Sequence, residues 1–249
     1  MNKNFVHLHL HTEYSLLDGV GKIEEYIDKA KNMNMKAMAI TDHGNMYGAI
    51  EFYKKAISRG IKPIIGIEAY VSEFEMDKRE GRNFHLVLLA ENNIGYKNLL
   101  KIASEGYLNG FYYRPRIDKE FLKKHSEGVI ALSACMQGEI SRGILDNESE
   151  EKIDSKIESY VEIFGKENFY IEIQGNGVEG QKELNESLIH FGKKHKLKIV
   201  ATNDTHYVYE GDHTLQDLVI CIQTGSKVNE SNRMKIETHE LFLKSKEEM

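Results

Sequence analysis

Cysteine and proline are scarce in this sequence, which has two of each among its 249 residues. Cys135 and Cys221 cannot build a disulfide framework, and so low a cysteine content fits a reducing cytoplasm. The N-terminus is polar and is followed by Phe5 to Leu8 without a long apolar run. The sequence therefore predicts neither a signal peptide nor a membrane span.

A basic character is also lacking, because the net charge is −6. Proteins that bind nucleic acid over a broad surface usually carry an excess of Lys and Arg. The densest basic run comprises Arg114, Arg116, Lys119, Lys123 and Lys124. Such runs are usually solvated surface. Any nucleic acid that this chain contacts would then be delivered by another part of a larger protein.

What the sequence does contain is 41% hydrophobic and 29% charged residues, a balance typical of a compact globule. Apolar residues follow strand and helix periods in alternation, and strands are predicted at 5–9, 36–40, 62–71, 84–90, 128–133, 169–174 and 198–202. This alternation indicates an α/β fold with a largely parallel sheet. Without a Gly-rich phosphate loop, a closed barrel is favoured. Residues 73–82 are too polar for a packing helix, which predicts a hairpin and a reversed fourth strand.

Histidine is the unusual component, with 11 residues. His7, His9 and His11 alternate at the end of the first predicted strand, so we expect their side chains to share one face. Other potential ligands lie late in predicted strands or just past their ends, where barrel enzymes keep their chemistry. His85 begins its strand instead, and it can join them only if that strand is reversed.

The candidate metal ligands are His9, His11, Asp18, His43, Glu68, His85, Cys135, Asp204 and His206. Imidazole, carboxylate and thiolate together suit zinc, manganese or iron. The set exceeds the needs of one ion, so we predict two or three divalent transition-metal ions that share bridging carboxylates. The remaining histidines, on helices or in the tail, are interpreted as ordinary core or surface residues.

At these positions the chain resembles the polymerase and histidinol phosphatase (PHP) family. The resemblance lies in His9-Leu10-His11, Thr41-Asp42-His43, Glu68, His85, Ser133-Ala134-Cys135 and Asp204-Thr205-His206. Longer strings such as ITDHGNMYGAIEFY and TNDTHYV are similar to the family branch that opens bacterial replicative DNA polymerases. The resemblance covers essentially the whole chain, and it implies a distorted seven-stranded (β/α) TIM-like barrel with up to three ions held by the nine residues. At His7 many family members carry an acid instead.

The resemblance implies DNA-directed DNA polymerisation for such a protein as a whole. This chain has no Asp-x-Asp pair of the kind with which a polymerase palm holds its two metals, so we do not expect it to polymerise. We predict a metal-binding barrel over residues 1–225 and a tail over residues 226–249 that leads towards the rest of the polymerase chain.

Phosphoester hydrolysis is the chemistry that the metal ligands predict. The predicted catalytic residues are Asp204, His206, His43, Arg114 and Arg116. Either arginine would grip a substrate phosphate bidentately. Asp42 and Glu139 are predicted to orient ligand histidines from behind.

Three functions remain open from the sequence. The first is a 3′–5′ exonuclease of the proofreading type, acting on a DNA 3′ end or another phosphate ester. The second is a metal-stabilised structural module that docks a separate proofreading exonuclease subunit. The third is a free-standing phosphatase of the histidinol phosphate type, which the polymerase-like strings disfavour. The sequence does not separate the first two.

Overall fold

Strands and helices alternate along most of the chain in a computed structural model that describes residues 5–249. The strands are β1 (Ala37–Ile40), β2 (Lys62–Ser72), β3 (Asn83–Ala90), β4 (Phe111–Tyr112), β5 (Arg114–Ile117), β6 (Val129–Leu132), β7 (Phe169–Gln174) and β8 (Lys198–Thr202). The helices are α1 (Ile23–Asn32), α2 (Ala49–Arg59), α3 (Asn93–Leu108), α4 (Lys119–Lys124), α5 (Glu139–Leu145), α6 (Glu150–Phe164), α7 (Gln181–His195) and α8 (His213–Thr224). The α/β class predicted from the periodicity is confirmed.

A curled sheet runs in the order β1-β2-β3-β6-β7-β8. Its pairs are parallel except those of β3, which runs antiparallel to both β2 and β6. The peptide N–H of Glu73 donates to the carbonyl of Arg82 at 3.0 Å and closes the connection between β2 and β3. The predicted hairpin and the reversed strand are therefore confirmed, and the reversal places His85 at the same end of the sheet as Glu68.

The barrel is closed by an extended segment, residues 7–11, that lies between β1 and the residues after β8. On one side the N–H of Ala39 donates to the carbonyl of His7 at 2.8 Å, and on the other the N–H of His11 donates to the carbonyl of Thr205 at 2.7 Å. The strand predicted at 5–9 is thus shifted and is not a regular strand. Its only β-bridge among the described residues joins Leu10 to Thr205. With this segment and the six strands, the fold is a distorted TIM-like barrel.

The hairpin of β4 and β5 was not predicted. Tyr112 pairs with Arg114 across it, and β5 then continues parallel to the far half of β2, where Arg116 pairs with Tyr70. Two strands this short leave no measurable alternation in the sequence, and Pro115 argues against a strand because it cannot donate a ladder hydrogen bond. The basic run therefore begins in a strand beside β2 rather than in a solvated loop.

The tail packs onto the barrel. Leu243 is fully buried in the cluster beneath α1 and α2, while Leu241 and Phe242 pack on Tyr207 in a smaller cluster. The division of the chain at residue 225 stays a prediction. No helix within residues 5–249 combines the length and the apolar surface needed to cross a membrane.

Truncation of a tail side chain tests whether the tail belongs to the folding unit. We expect Leu243→Ala to lower the free energy of unfolding by about 2–5 kcal/mol, the range for a buried leucine that leaves a cavity. Leu108→Ala is the matched control, because Leu108 is 77% exposed. Urea unfolding measures both, and equal midpoints for the two variants would show that the tail is not part of the core.

Candidate metal centre

The nine predicted metal ligands converge at one end of the barrel. The cluster receives side chains from segment 7–11, the ends of β1 and β8, the far half of β2, the start of β3 and the loop after β6. Reversal of β3 brings His85 Nδ1 to 3.0 Å from Glu68 Oε1. Cys135 Sγ lies 3.6 Å from the same His85 nitrogen. The structure therefore brings together all the residues that the sequence assigned to metal binding.

Three overlapping groups within the cluster each offer ligand atoms within 4.8 Å of one another. They are His11, Asp18, His43 and His206; His9, His11 and Asp204; and His43, Glu68 and His85. His11 is shared by the first and second groups, and His43 by the first and third. Shared ligands at this spacing are typical of a multinuclear site.

Glu68 lies at the centre of the cluster and is almost fully buried. Its Oε1 is 3.2 Å from His9 Nε2, and its Oε2 is 2.7 Å from His43 Nδ1. Asp204 occupies a similar position, since its Oδ1 lies 3.2 Å from both His9 Nε2 and His11 Nε2. Each carboxylate therefore contacts imidazoles from more than one group, which suits a bridging ligand.

The facing atoms fit metal ligation better than hydrogen bonding. Atoms buried without a hydrogen-bond partner within residues 5–249 include His9 Nε2, His11 Nε2, His43 Nδ1, Glu68 Oε2 and Asp204 Oδ1. His43 Nδ1 and Glu68 Oε2 are close, but they are not aligned to share a proton. An unpaired buried polar atom costs about 1–3 kcal/mol. Five such atoms around one space are explained if cations accept their lone pairs.

Glu172, on β7, orients His9 from behind and was not among the residues predicted from the sequence. Its Oε1 lies 2.7 Å from His9 Nδ1 and also accepts hydrogen bonds from Thr202 Oγ1 and Gln174 Nε2. A carboxylate acceptor holds the proton on Nδ1 and leaves Nε2 free to ligate. The available signal was a charged residue in the middle of the apolar run Phe169–Ile173.

The two predicted orienting acids differ in their surroundings. Asp42 accepts a hydrogen bond from Ser15 Oγ at 2.8 Å, and the same Ser15 oxygen lies 2.9 Å from His11 Nδ1. Asp42 thus reaches a ligand histidine through Ser15. Glu139 instead accepts from the Tyr160 hydroxyl and pairs with Lys119, so the structure does not bring it to a ligand histidine.

Electrostatics couple the cluster tightly. Burial alone would lower the pKa of His206, but Asp18 and Asp204 outweigh it and raise that pKa to about 9. Burial likewise opposes ionisation of Glu68, yet the neighbouring histidines His85, His43 and His9 hold its pKa well below the usual range. In the absence of cations, protons on imidazole therefore balance the carboxylates. Metal binding must displace those protons.

His7 does not join any of the three ligand groups, although it alternates with His9 and His11 along the chain. Its Nε2 lies 2.9 Å from the carbonyl of Lys244, and its Nδ1 lies 3.3 Å from Thr205 Oγ1. Burial lowers its pKa to about 4, so the ring is neutral at pH 7. His7 ties the closing segment to the tail.

A cleft of about 1280 Å³ opens from the cluster, and Arg114 lines it. Arg116 does not, because its guanidinium is buried and donates to the carbonyls of Gly110, Met76 and Lys78 at 3.0–3.1 Å. The bidentate phosphate contact predicted for Arg114 or Arg116 is thus sterically open to Arg114 alone. The other predicted catalytic residues, Asp204, His206 and His43, all line the cleft.

Known proteins that are similar in sequence to this chain include two bacterial DNA polymerase III alpha subunits. DNA polymerase III subunit alpha of Borreliella burgdorferi is 50% identical over 250 aligned residues, which cover 98% of this chain and 22% of that protein. The Helicobacter pylori (strain 26695) subunit is 45% identical over 100% of this chain and 21% of its own length. The chain therefore spans about a fifth of these relatives.

Solved structures share the fold at low sequence identity. A putative metal-dependent phosphoesterase from Bifidobacterium adolescentis has a TM-score of 0.52 and 14% identity, over 82% of this chain and 88% of that one. An amidohydrolase from Chromobacterium violaceum gives the same TM-score at 17% identity, over 81% and 87%. These neighbours support the predicted barrel. The PHP domain family model matches residues 7–176, and this chain therefore belongs to the PHP family.

Proposed function

We propose that this chain is the PHP domain of a bacterial DNA polymerase III alpha subunit, and that its metal centre hydrolyses phosphoesters as a 3′–5′ exonuclease does. The polymerase assignment rests on similarity to alpha subunits over 98–100% of the chain. The hydrolytic assignment rests on one observation: the three overlapping ligand groups open onto a cleft large enough for a substrate.

The ligand groups would hold two or three divalent ions. When bound, such ions supply Lewis acidity that lowers the pKa of water and offsets charge on the attacking and leaving oxygens. The protein supplies the geometry. Glu172 fixes the ring of His9, while Asp42 and Ser15 fix that of His11. Both rings then present Nε2 to the cluster, and reorganisation during the reaction is small.

Arg114 is the residue placed to bind the substrate. It stands on β5 at the cleft, its guanidinium carbon 5.6 Å from the Tyr70 ring centroid. Stacking on an aromatic face restrains the guanidinium while its N–H groups remain free for a phosphate. It would hold a phosphate next to the one at the metal centre.

A second candidate function is a metal-stabilised module that docks a separate proofreading exonuclease subunit. The observation in its favour is the burial of His9, His11 and Glu68, which are at most 1% exposed. Ligands so deep would stabilise the barrel whether or not a substrate reaches them. The free-standing phosphatase is disfavoured, since the alpha-subunit relatives align with nearly the whole chain. Hydrolysis assays on single-stranded DNA and on a simple phosphodiester separate the first two functions.

Metal content follows directly from the geometry. We expect two or three transition-metal ions per chain after purification without chelator, because no single ion can use all nine ligands. His11→Ala should lower the content more than Cys135→Ala, since His11 belongs to two ligand groups. His190→Ala, an exposed position on α7, is the matched control. Elemental analysis that finds less than one ion per wild-type chain would refute the centre.

A further inference from the structure

Three aromatic side chains form an exposed shelf on one wall of the cleft: Tyr107, Phe111 and Tyr113. Tyr107 and Phe111 stack with ring centroids 6.2 Å apart and planes 23° apart. Their side chains are 42% and 55% exposed, and Tyr113 is 79% exposed. Large rings left in water beside a polar cavity are typical of a binding surface.

The aromatic shelf is connected to the metal centre through two intermediate side chains. The ring of Tyr70 lies 5.7 Å from that of His43 and 5.2 Å from that of His85. Arg114 covers the same tyrosine ring, and β5 carries it beside the shelf. Within residues 5–249 Arg114 has no carboxylate within ion-pair distance. Ligand histidines, an available cation and open aromatic faces thus follow one another along the cleft.

Close backbone packing holds the shelf in place. A Cβ at Gly110, between Tyr107 and Phe111, would lie 1.9 Å from the carbonyl oxygen of Arg116, so only glycine permits this approach. Arg116 is buried and donates from the other side to the carbonyls of Gly110 and Met76. The rings therefore stand at the junction between the end of α3 and the β4–β5 hairpin, which these contacts hold in place, and binding would require little ordering of the backbone.

We propose that the aromatic shelf stacks the unpaired bases of a single-stranded nucleic acid whose end phosphodiester lies at the metal centre. The proposal rests on the proposed function and specifies its substrate class. Bases stack on aromatic side chains without regard to sequence, and Arg114 would meet the phosphate between the centre and the shelf. A small phosphate ester would leave the rings unused.

Net charge favours stacking as the source of affinity. The chain carries −6 overall, and of the Lys and Arg residues that line the cleft only Arg114 and Lys235 have no carboxylate within ion-pair distance among residues 5–249. Two other arginines at the cleft, Arg82 and Arg142, are both paired with Asp146. We therefore expect the salt dependence of about one or two phosphate contacts. The logarithm of the association constant should fall with the logarithm of the salt concentration with a slope near −1.

The test compares a single-stranded oligothymidylate with an abasic strand of equal length. Binding is followed by fluorescence anisotropy with the metal-loaded wild-type protein, and both strands carry non-hydrolysable linkages at the 3′ end so that they are not consumed. We expect the base-bearing strand to bind at least about tenfold tighter. The triple variant Tyr107→Leu, Phe111→Leu, Tyr113→Leu should lose this preference, whereas Arg114→Gln should weaken the binding of both strands alike. Tyr53→Leu is the matched control, because Tyr53 is half exposed on α2 and outside the cleft.

The conservative variant Phe111→Tyr should keep the preference for bases, which separates stacking from a general effect on folding. Equal binding of both strands by the parent protein would overturn the proposal, as would a preference that survives all three leucine substitutions. Failure of the hydrolytic function is a distinct result. A protein that prefers base-bearing strands but cleaves nothing with wild-type Asp204 supports the shelf and refutes the exonuclease.

Discussion

Removal of the metal ions by chelator is expected to lower the melting temperature of this protein by about 5–10 °C for each ion lost. An ion present at 100 times its dissociation constant adds about 2.7 kcal/mol of stability. In a chain of this size each kcal/mol shifts the melting temperature by about 2–4 °C. The physical cause is the cluster itself, because Glu68 and Asp204 keep buried atoms that no other group of the described residues satisfies. Calorimetry before and after verified metal removal measures the shift.

The fall in melting temperature on metal removal should grow as the pH rises. In the metal-free protein the pKa of His206 is raised to about 9 from 6.5, since Asp18 and Asp204 outweigh the effect of burial. The stabilisation from this raised pKa is complete below pH 6.5 and is lost as the pH rises through about 9. With metal bound the imidazole is already neutral, so that loss does not occur. Scans at pH 6.5 and pH 9 give the comparison. An unchanged melt at both pH values would show that the cluster does not support the fold.

The clustering of the predicted metal ligands could be anticipated because two simple regularities coincide at them. Barrel strands end on one side of the molecule, and histidine and acidic residues at those ends, such as His43 and Asp204, cannot all be solvated there. Even the exception, His85, followed from the polarity of residues 73–82, which indicated a reversed strand. Local sequence patterns were therefore sufficient to predict which residues cluster, wherever the clustered residues lie at strand ends.

Residues that act through long-range packing were not predictable in the same way. Glu172 alternates within an apolar strand like a surface residue, and only the closed barrel turns it towards His9. Arg116 looked like solvated charge, but it donates to three carbonyls from two separate loops, the β2–β3 connection and the loop before β4. Residues 7–11 lie extended between two neighbours, but among the described residues only the bridge of Leu10 to Thr205 follows a strand-pairing pattern there. None of these contacts leaves a periodic trace in the sequence.

Substitution of Asp204 by asparagine is expected to retain the fold and to lower phosphoester hydrolysis by about 10²–10⁴-fold. Asp204 adopts a positive φ of 56°, a conformation that asparagine tolerates as readily as aspartate. The amide keeps the volume and can still coordinate, but it carries no charge to offset two neighbouring cations. Loss of one ion from a shared site removes several kcal/mol of transition-state stabilisation, and each 1.36 kcal/mol is about tenfold in rate.

The control for charge alone is Asp77→Asn, because Asp77 is exposed in the connection between β2 and β3 and belongs to none of the ligand groups. Rates are measured on single-stranded DNA and on a simple phosphodiester, with metal content determined for each preparation. The activity of a contaminating nuclease would not change when Asp204 is substituted. Equal rates in wild type and Asp204→Asn would therefore show that the activity does not belong to this metal centre. If the metal-loaded wild type hydrolyses neither substrate while chelation still lowers its melting temperature, the ions act on the barrel alone. The docking module is then the function that the same nine ligands support.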